Sequence, residues 1–141
     1  VHTVAQHVLW LLPMLWLGMV LAISFLEAPL KFRAPGITVA LGLGIGRLVF
    51  RALNVVEAIL AVLLVVATLV VGPAAGTWAW LIVAVALLAA QVLLVRPPLS
   101  RRADRVLAGE ELPRSHAHFW YIVLEVAKVV ALIGLAIAAT P

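Results

Sequence analysis

The chain has 141 residues, of which 66% are hydrophobic and 11% charged, with a formal net charge of +4. A soluble domain is about half apolar and about a quarter charged. A chain of this size cannot hide so much apolar surface from water, so the bilayer has to be its solvent. The absence of cysteine excludes disulfides, thiolate metal sites and cysteine nucleophiles, and the positive charge is not accompanied by a basic and aromatic module for nucleic acid.

Four apolar runs, residues 8–28, 48–71, 78–95 and 119–139, are each long enough to cross a hydrocarbon core of about 30 Å. They are continuous rather than alternating. Because only helices and closed barrels satisfy the backbone in lipid, they predict an all-α, four-transmembrane-helix bundle forming a single domain. The first run has no basic flank and no small-residue cleavage site, so it is expected to be a span and not a cleaved signal peptide. Pro13 is expected in the first turns of that helix, where a missing N–H is tolerated. The stretch "PGITVALGLGIG", residues 35–46, is expected to be an interfacial segment broken at its glycines, because a helix running from Ile37 to Val71 would measure about 52 Å. Gly42, Gly44 and Gly46 lack the nucleotide-binding spacing and follow no strand; a flexible re-entry or a close helix contact explains them. Residues 71–77, "VGPAAGT", predict a tight hairpin between the second and third helices. "RRADRVLAGEE", residues 101–111, predicts a solvated or interfacial helix of mixed charge.

All ten Lys and Arg residues sit in the two longer connections, residues 29–47 and 96–118, or enter helices from them. The positive-inside rule then places both connections in the cytoplasm and both termini outside, in a cell inner (plasma) membrane. Trp10, Trp16, Trp78 and Trp80 are expected at the outer interface, with Trp120 and Tyr121 at the inner one. The spacing from Trp16 to Glu27 recurs from Trp80 to Gln91, and a glutamate follows in the next helix of each half, Glu57 and Glu125. That pattern is the signature of a parallel two-hairpin repeat.

Helical spacing gathers the polar residues into stripes. Arg47, Arg51, Asn54 and Glu57 fall within about 120° on the second helix, and His118, Tyr121, Glu125 and Lys128 within about 80° on the fourth. Glu57 and Lys128 both lie about 14 Å inside their helices, near the midplane. A charge at that depth costs about 2.5–3.5 kcal/mol, so it faces the bundle interior and pairs. Matching depth favours Glu57 with Lys128, and i,i+3 spacing favours Glu125 with Lys128. Glu27 and Gln91 lie shallower, on the first and third helices. Arg51 and Asn54 read as the approach to this seam, and Arg47 as a residue whose head reaches the headgroups. His116 and His118 are weak metal candidates, because an i,i+2 pair does not share a helix face. No cofactor is indicated.

"WLGMVLAISFLEAPLKFR" followed by "LGIGRLVFRALN" resembles the bacterial relatives of transmembrane protein 205, small four-helix membrane proteins of unknown biochemical function. Trp16, Gly18, Ala28, Pro29, Leu30, Phe32, Arg33, Gly46, Arg47 and Phe50 carry the likeness, which covers residues 16–57 and not the second half. It implies the fold and topology and no activity. The chain is also similar in size and charge to the membrane-associated eicosanoid and glutathione metabolism family, whose second helix carries an Arg-Ala-x-x-Asn-x-x-Glu motif. Asn54 and Glu57 fit it, but Arg51 stands one residue too close to Asn54, about 100° around the helix.

The leading functional expectation is binding or transport of a small polar or ionic ligand through a cytoplasm-facing seam between the second and fourth helices, centred on Glu57, Glu125 and Lys128. A membrane-embedded glutathione-dependent enzyme and a structural or accessory subunit of a membrane complex are the alternatives. Four spans leave little room for a private cavity, which makes a homo-oligomer an expected partner arrangement alongside the lipid bilayer.

Overall fold

A computed structural model of the protein describes residues 1–110 and 116–141, and of residues 116 and 117 the backbone alone. Glu111 and Arg114, expected in the second basic connection, and the His116 side chain lie outside the described residues.

The chain forms four long helices: α1 (His2–Arg33), α2 (Val39–Val71), α3 (Ala75–Leu107) and α4 (His116–Ala139). All four are long and apolar enough to span a membrane, and no strand occurs among the described residues. The protein is therefore an all-α, multi-pass membrane protein built as a four-helix bundle. Neighbouring pairs are α1 with α2, α2 with α3, α3 with α4 and α4 with α1, an up-down-up-down square in which α1 faces α3, and α2 faces α4, across the axis.

Local chemistry sets the helix ends. Thr38 caps α2, its Oγ1 accepting from the Leu41 N–H at 3.1 Å, which satisfies one orphan donor. Gly72 ends α2 in the left-handed region at φ 63°, where glycine escapes the Cβ penalty. The expected hairpin between α2 and α3 follows at once.

Three helices run further than the apolar runs suggest. α1 continues to Arg33 and α3 to Leu107, so the first connection shrinks to residues 34–38. Of the break expected at the glycines of residues 35–46, only the part at Gly36 occurs, in a turn at φ 78°; α2 passes through Gly42, Gly44 and Gly46 as one helix. Its 33 residues span about 50 Å, so its basic end projects beyond the core. The glycines serve contact instead. A Cβ on Gly42 would lie 2.1 Å from the Phe32 ring, and one on Gly46 2.8 Å from Lys31 Nζ. These two positions, i and i+4 on one face, let the end of α1 fold back onto the start of α2. Pro13 is likewise not in the first turns: α1 begins at His2, so Pro13 is interior and buried, and its missing N–H interrupts the ladder.

Two helices change pitch toward the basic end. α1 is π-helical over Leu21–Glu27 and α3 over Gln91–Val95. Each π segment shifts the facing of later residues and is a common device at functional sites. Away from them the core is plain packing: Leu9, Val20, Leu64, Leu81, Ala84, Leu132 and Leu135 are buried together. Outward-facing Leu11, Val62, Leu69, Ile82 and Ile137 are exposed, as a lipid-facing surface requires.

Candidate functional site

Lys128 lies at the bundle axis, fully buried. Its ammonium group sits 2.5 Å from Glu57 Oε2 and 2.7 Å from Glu125 Oε1, and donates to Gln91 Oε1 at 2.8 Å. These groups stand on α2, α4 and α3 respectively: two carboxylates in ion-pair contact and one amide oxygen that accepts a hydrogen bond. α1 joins through two further bonds. The Trp16 indole N–H donates to Glu57 Oε2 at 2.7 Å, and the Ser24 hydroxyl donates to Glu125 Oε2 at 2.9 Å. Asn54 Nδ2 donates to Glu57 Oε1 at 3.1 Å, and Asn54 Oδ1 accepts from Arg96. Arg96 also donates to the Arg47 carbonyl at 3.3 Å. In formal charges, Glu57 and Glu125 are balanced by Lys128 and, through the Asn54 amide, by Arg96. The layer sums to zero, as burial in hydrocarbon demands.

The two expected ion pairs of Lys128, with Glu57 and with Glu125, are both present. Gln91 and Asn54 belong to the same layer. Three expected site residues stand differently. Arg51 is exposed, about 120° around α2 from Glu57, where its guanidinium can reach water or headgroups. Glu27 is half-buried and pairs with Lys31 at 3.8 Å, one turn along its own helix. Tyr121 is buried beside the layer, its ring edge-on to Phe50 at 5.8 Å; its hydroxyl lies next to the Asn54 amide and the Arg96 guanidinium but makes no well-aligned hydrogen bond among the described residues.

Three residues of the layer were not singled out by sequence. Trp16, expected at an interface, is fully buried, because a buried indole N–H needs an acceptor and Glu57 supplies it. Ser24 lies in the π segment of α1, so helical spacing misplaces it. Arg96 looked like loop charge, yet the helix carries it inward to Asn54. The legible signal was Trp16, a donor-bearing ring at the middle of a span. Arg47, expected at the headgroups, instead pairs with Asp104 of the α3 extension at 2.6 Å.

Between the layer and the basic loops lies a chamber of about 560 Å³, within the range of small-ligand pockets. Its floor is Glu125, Ser24 and Tyr121. Its walls combine Arg47, Arg96, Arg102 and Lys31 with Phe25, Phe32, Phe50, Leu43 and Leu99. Lys31 Nζ lies 5.6 Å from the Phe32 ring centroid and 5.9 Å from that of Phe50, close enough for cation–π attraction. His118 is at the rim, exposed. No group of three metal-capable side chains comes together among the described residues.

The proposed repeat is uneven in its chemistry. Each half has a π-distorted first helix and a buried glutamate in the second. However, Trp16 binds Glu57 while Trp80 lies against Gly134 near the bundle surface, and Lys128 has no counterpart on α2. Compared with known proteins, the chain matches no protein-family model, no curated protein and no solved structure.

Proposed function

We propose that this membrane protein binds a small ionic ligand in the chamber at its basic end, with the Lys128 layer as the closed floor. The chamber itself carries the reading: arginines and a lysine converge with aromatic rings on a space of ligand size, and the buried Tyr121 hydroxyl adds a donor that no described residue uses. The layer below is better suited to closure than to holding the ligand, because the fully buried Lys128 ammonium is already enclosed by two carboxylates and the Gln91 amide oxygen. Passage of a ligand along the axis would require that layer to part, so binding is the primary activity and transport a consequence of opening. By the positive-inside rule we place the chamber in the cytoplasm-facing half and both termini outside. The likeness of residues 16–57 to the bacterial relatives of transmembrane protein 205 agrees with this topology and adds no activity.

The cysteine-free sequence makes the test clean. Ser100→Cys places a single thiol on the chamber wall. In the purified protein, either the dialysable fraction of a cell extract or a membrane lipid extract should slow its reaction with a maleimide. If neither fraction slows labelling, the chamber is not a ligand site.

A further inference from the structure

The chamber opens sideways. Every lining residue contributed by α2 and α3 is buried or half-buried. The exposed lining residues all come from α1 and α4: Phe25, Pro29 and Phe32 on one side, His118 and Ile122 on the other. The mouth is therefore the gap between α1 and α4, and the Ser24–Glu125 hydrogen bond closes that gap at its lower edge. Ser24 lies nine residues before Arg33, the end of α1, so the gap reaches about 13 Å along the helix. Phe25 and Ile122 at its sides are apolar, as are the lipid-facing residues around them. An opening bounded in this way faces the lipid leaflet at the level of the headgroups and the first part of the acyl chains.

The lining is graded to match. Aromatic and aliphatic walls face the mouth, and Arg47 and Arg96 stand behind them. Arg47 pairs with Asp104, and Arg96 spends two of its N–H groups on Asn54 and the Arg47 carbonyl. A guanidinium has five donors in a planar fork, so each retains N–H groups for a further acceptor, and phosphate is the acceptor that such forks fit best. Cations outnumber the one carboxylate in the lining, Glu125, which Lys128 and Ser24 already engage.

Building on the ligand-binding reading, we infer that the ligand is a phosphate-headed anionic lipid that enters from the leaflet between α1 and α4, its headgroup on Arg47 and Arg96 and its chain along Phe25 and Ile122.

The test uses the full chain in a neutral detergent, with dioleoyl phosphatidylglycerol, dioleoyl phosphatidylcholine and sodium glycerophosphate as probes. Binding is read by native mass spectrometry and by protection of Ser100→Cys. Phosphatidylglycerol should bind at one per chain, at least tenfold more tightly than the other two. Ile122→Trp, a change at the exposed lip that leaves the core untouched, should weaken it at least fivefold, as should Arg47→Gln. Arg51→Gln, outside the chamber, should leave it unchanged. Equal binding of phosphatidylcholine, or equal loss in the Arg51 variant, would reduce the lipid to a nonspecific coat and overturn the inference. Tight binding of glycerophosphate without a chain requirement would also overturn it while leaving the chamber a ligand site. Failure of all three probes, together with no protection by either extract, would remove both readings.

Discussion

Replacing Lys128 by Met keeps the length and bulk of the side chain and removes its charge and three donors. Glu125 would then keep only the Ser24 hydroxyl, Gln91 Oε1 would lose its donor, and Glu57 would keep Trp16 and Asn54. Breaking a buried ion pair by removing one partner costs about 3–5 kcal/mol, because a charge is left uncompensated. Two features place this case at the lower end. Arg96 still faces Glu57 through Asn54. The neutral hydrogen bond to Gln91 counts for little, since bonds between transmembrane helices average about 0.6 kcal/mol. The expected loss is about 3 kcal/mol, or about two orders of magnitude in the folding equilibrium. The assay is reversible unfolding in mixed micelles with increasing dodecyl sulfate, followed by helical circular dichroism. Adding Glu125→Gln to Lys128→Met removes the stranded charge, leaves Glu57 opposite Arg96 and keeps an acceptor for Ser24. The double variant should recover to within about 1 kcal/mol of wild type. If Lys128→Met alone costs less than about 1 kcal/mol, or if the double variant is as weak as the single, charge compensation is not what holds the four helices at this level.

Other consequences are more local. Trp16→Phe deletes one of two neutral donors to a buried carboxylate and should cost about 1.5–3 kcal/mol in the same unfolding assay, since bonds to charged groups lie in that range. Gly134→Ala would put a Cβ 2.5 Å from the Trp80 indole; the expected loss is about 1–3 kcal/mol, and a Trp80→Ala background should abolish most of it in a double-mutant cycle. The Arg47–Asp104 pair is partly exposed at 30% and 59%, so Asp104→Asn should shift the unfolding midpoint by the equivalent of less than about 1 kcal/mol, and less still in high salt.

The bundle was legible because composition leaves one solvent for this chain and continuous apolar runs leave one secondary structure. The Lys128 pairs were legible for a related reason: charges at mid-depth must find one another, and depth can be counted along a helix. What could not be counted was the helix ends. A basic residue at the end of an apolar run looks like loop in a sequence, but nothing in Arg96–Leu107 breaks a helix, and Pro97 and Pro98 fall where α3 changes pitch rather than inside a regular turn. The glycines of α2 misled in the same way. A length too great for one span suggested a break at them, while what they serve in the helix, contact of Gly42 and Gly46 with Phe32 and Lys31, belongs to another helix and is invisible locally.

The π segments explain the remaining gap, and they connect the fold to the site. Facing angles computed at 100° per residue hold only while pitch holds. On α2 and α4 it does, and Asn54, Glu57, Tyr121, Glu125 and Lys128 gather as spacing predicts. On α1 and α3 it changes at Leu21 and Gln91, the level where these helices pass from the packed half of the bundle to the chamber half. A regular helix would set Ser24 about 80° away from Trp16 around the axis. Instead both donate into the same layer, Trp16 to Glu57 and Ser24 to Glu125. The same change of pitch accompanies the parting of α1 from α4 that opens the chamber above Ser24. One local device thus completes the buried network and makes room for what lies over it, which is why the polar layer and the chamber share Ser24, Glu125 and Arg96 and are expected to respond together to substitution at any of them.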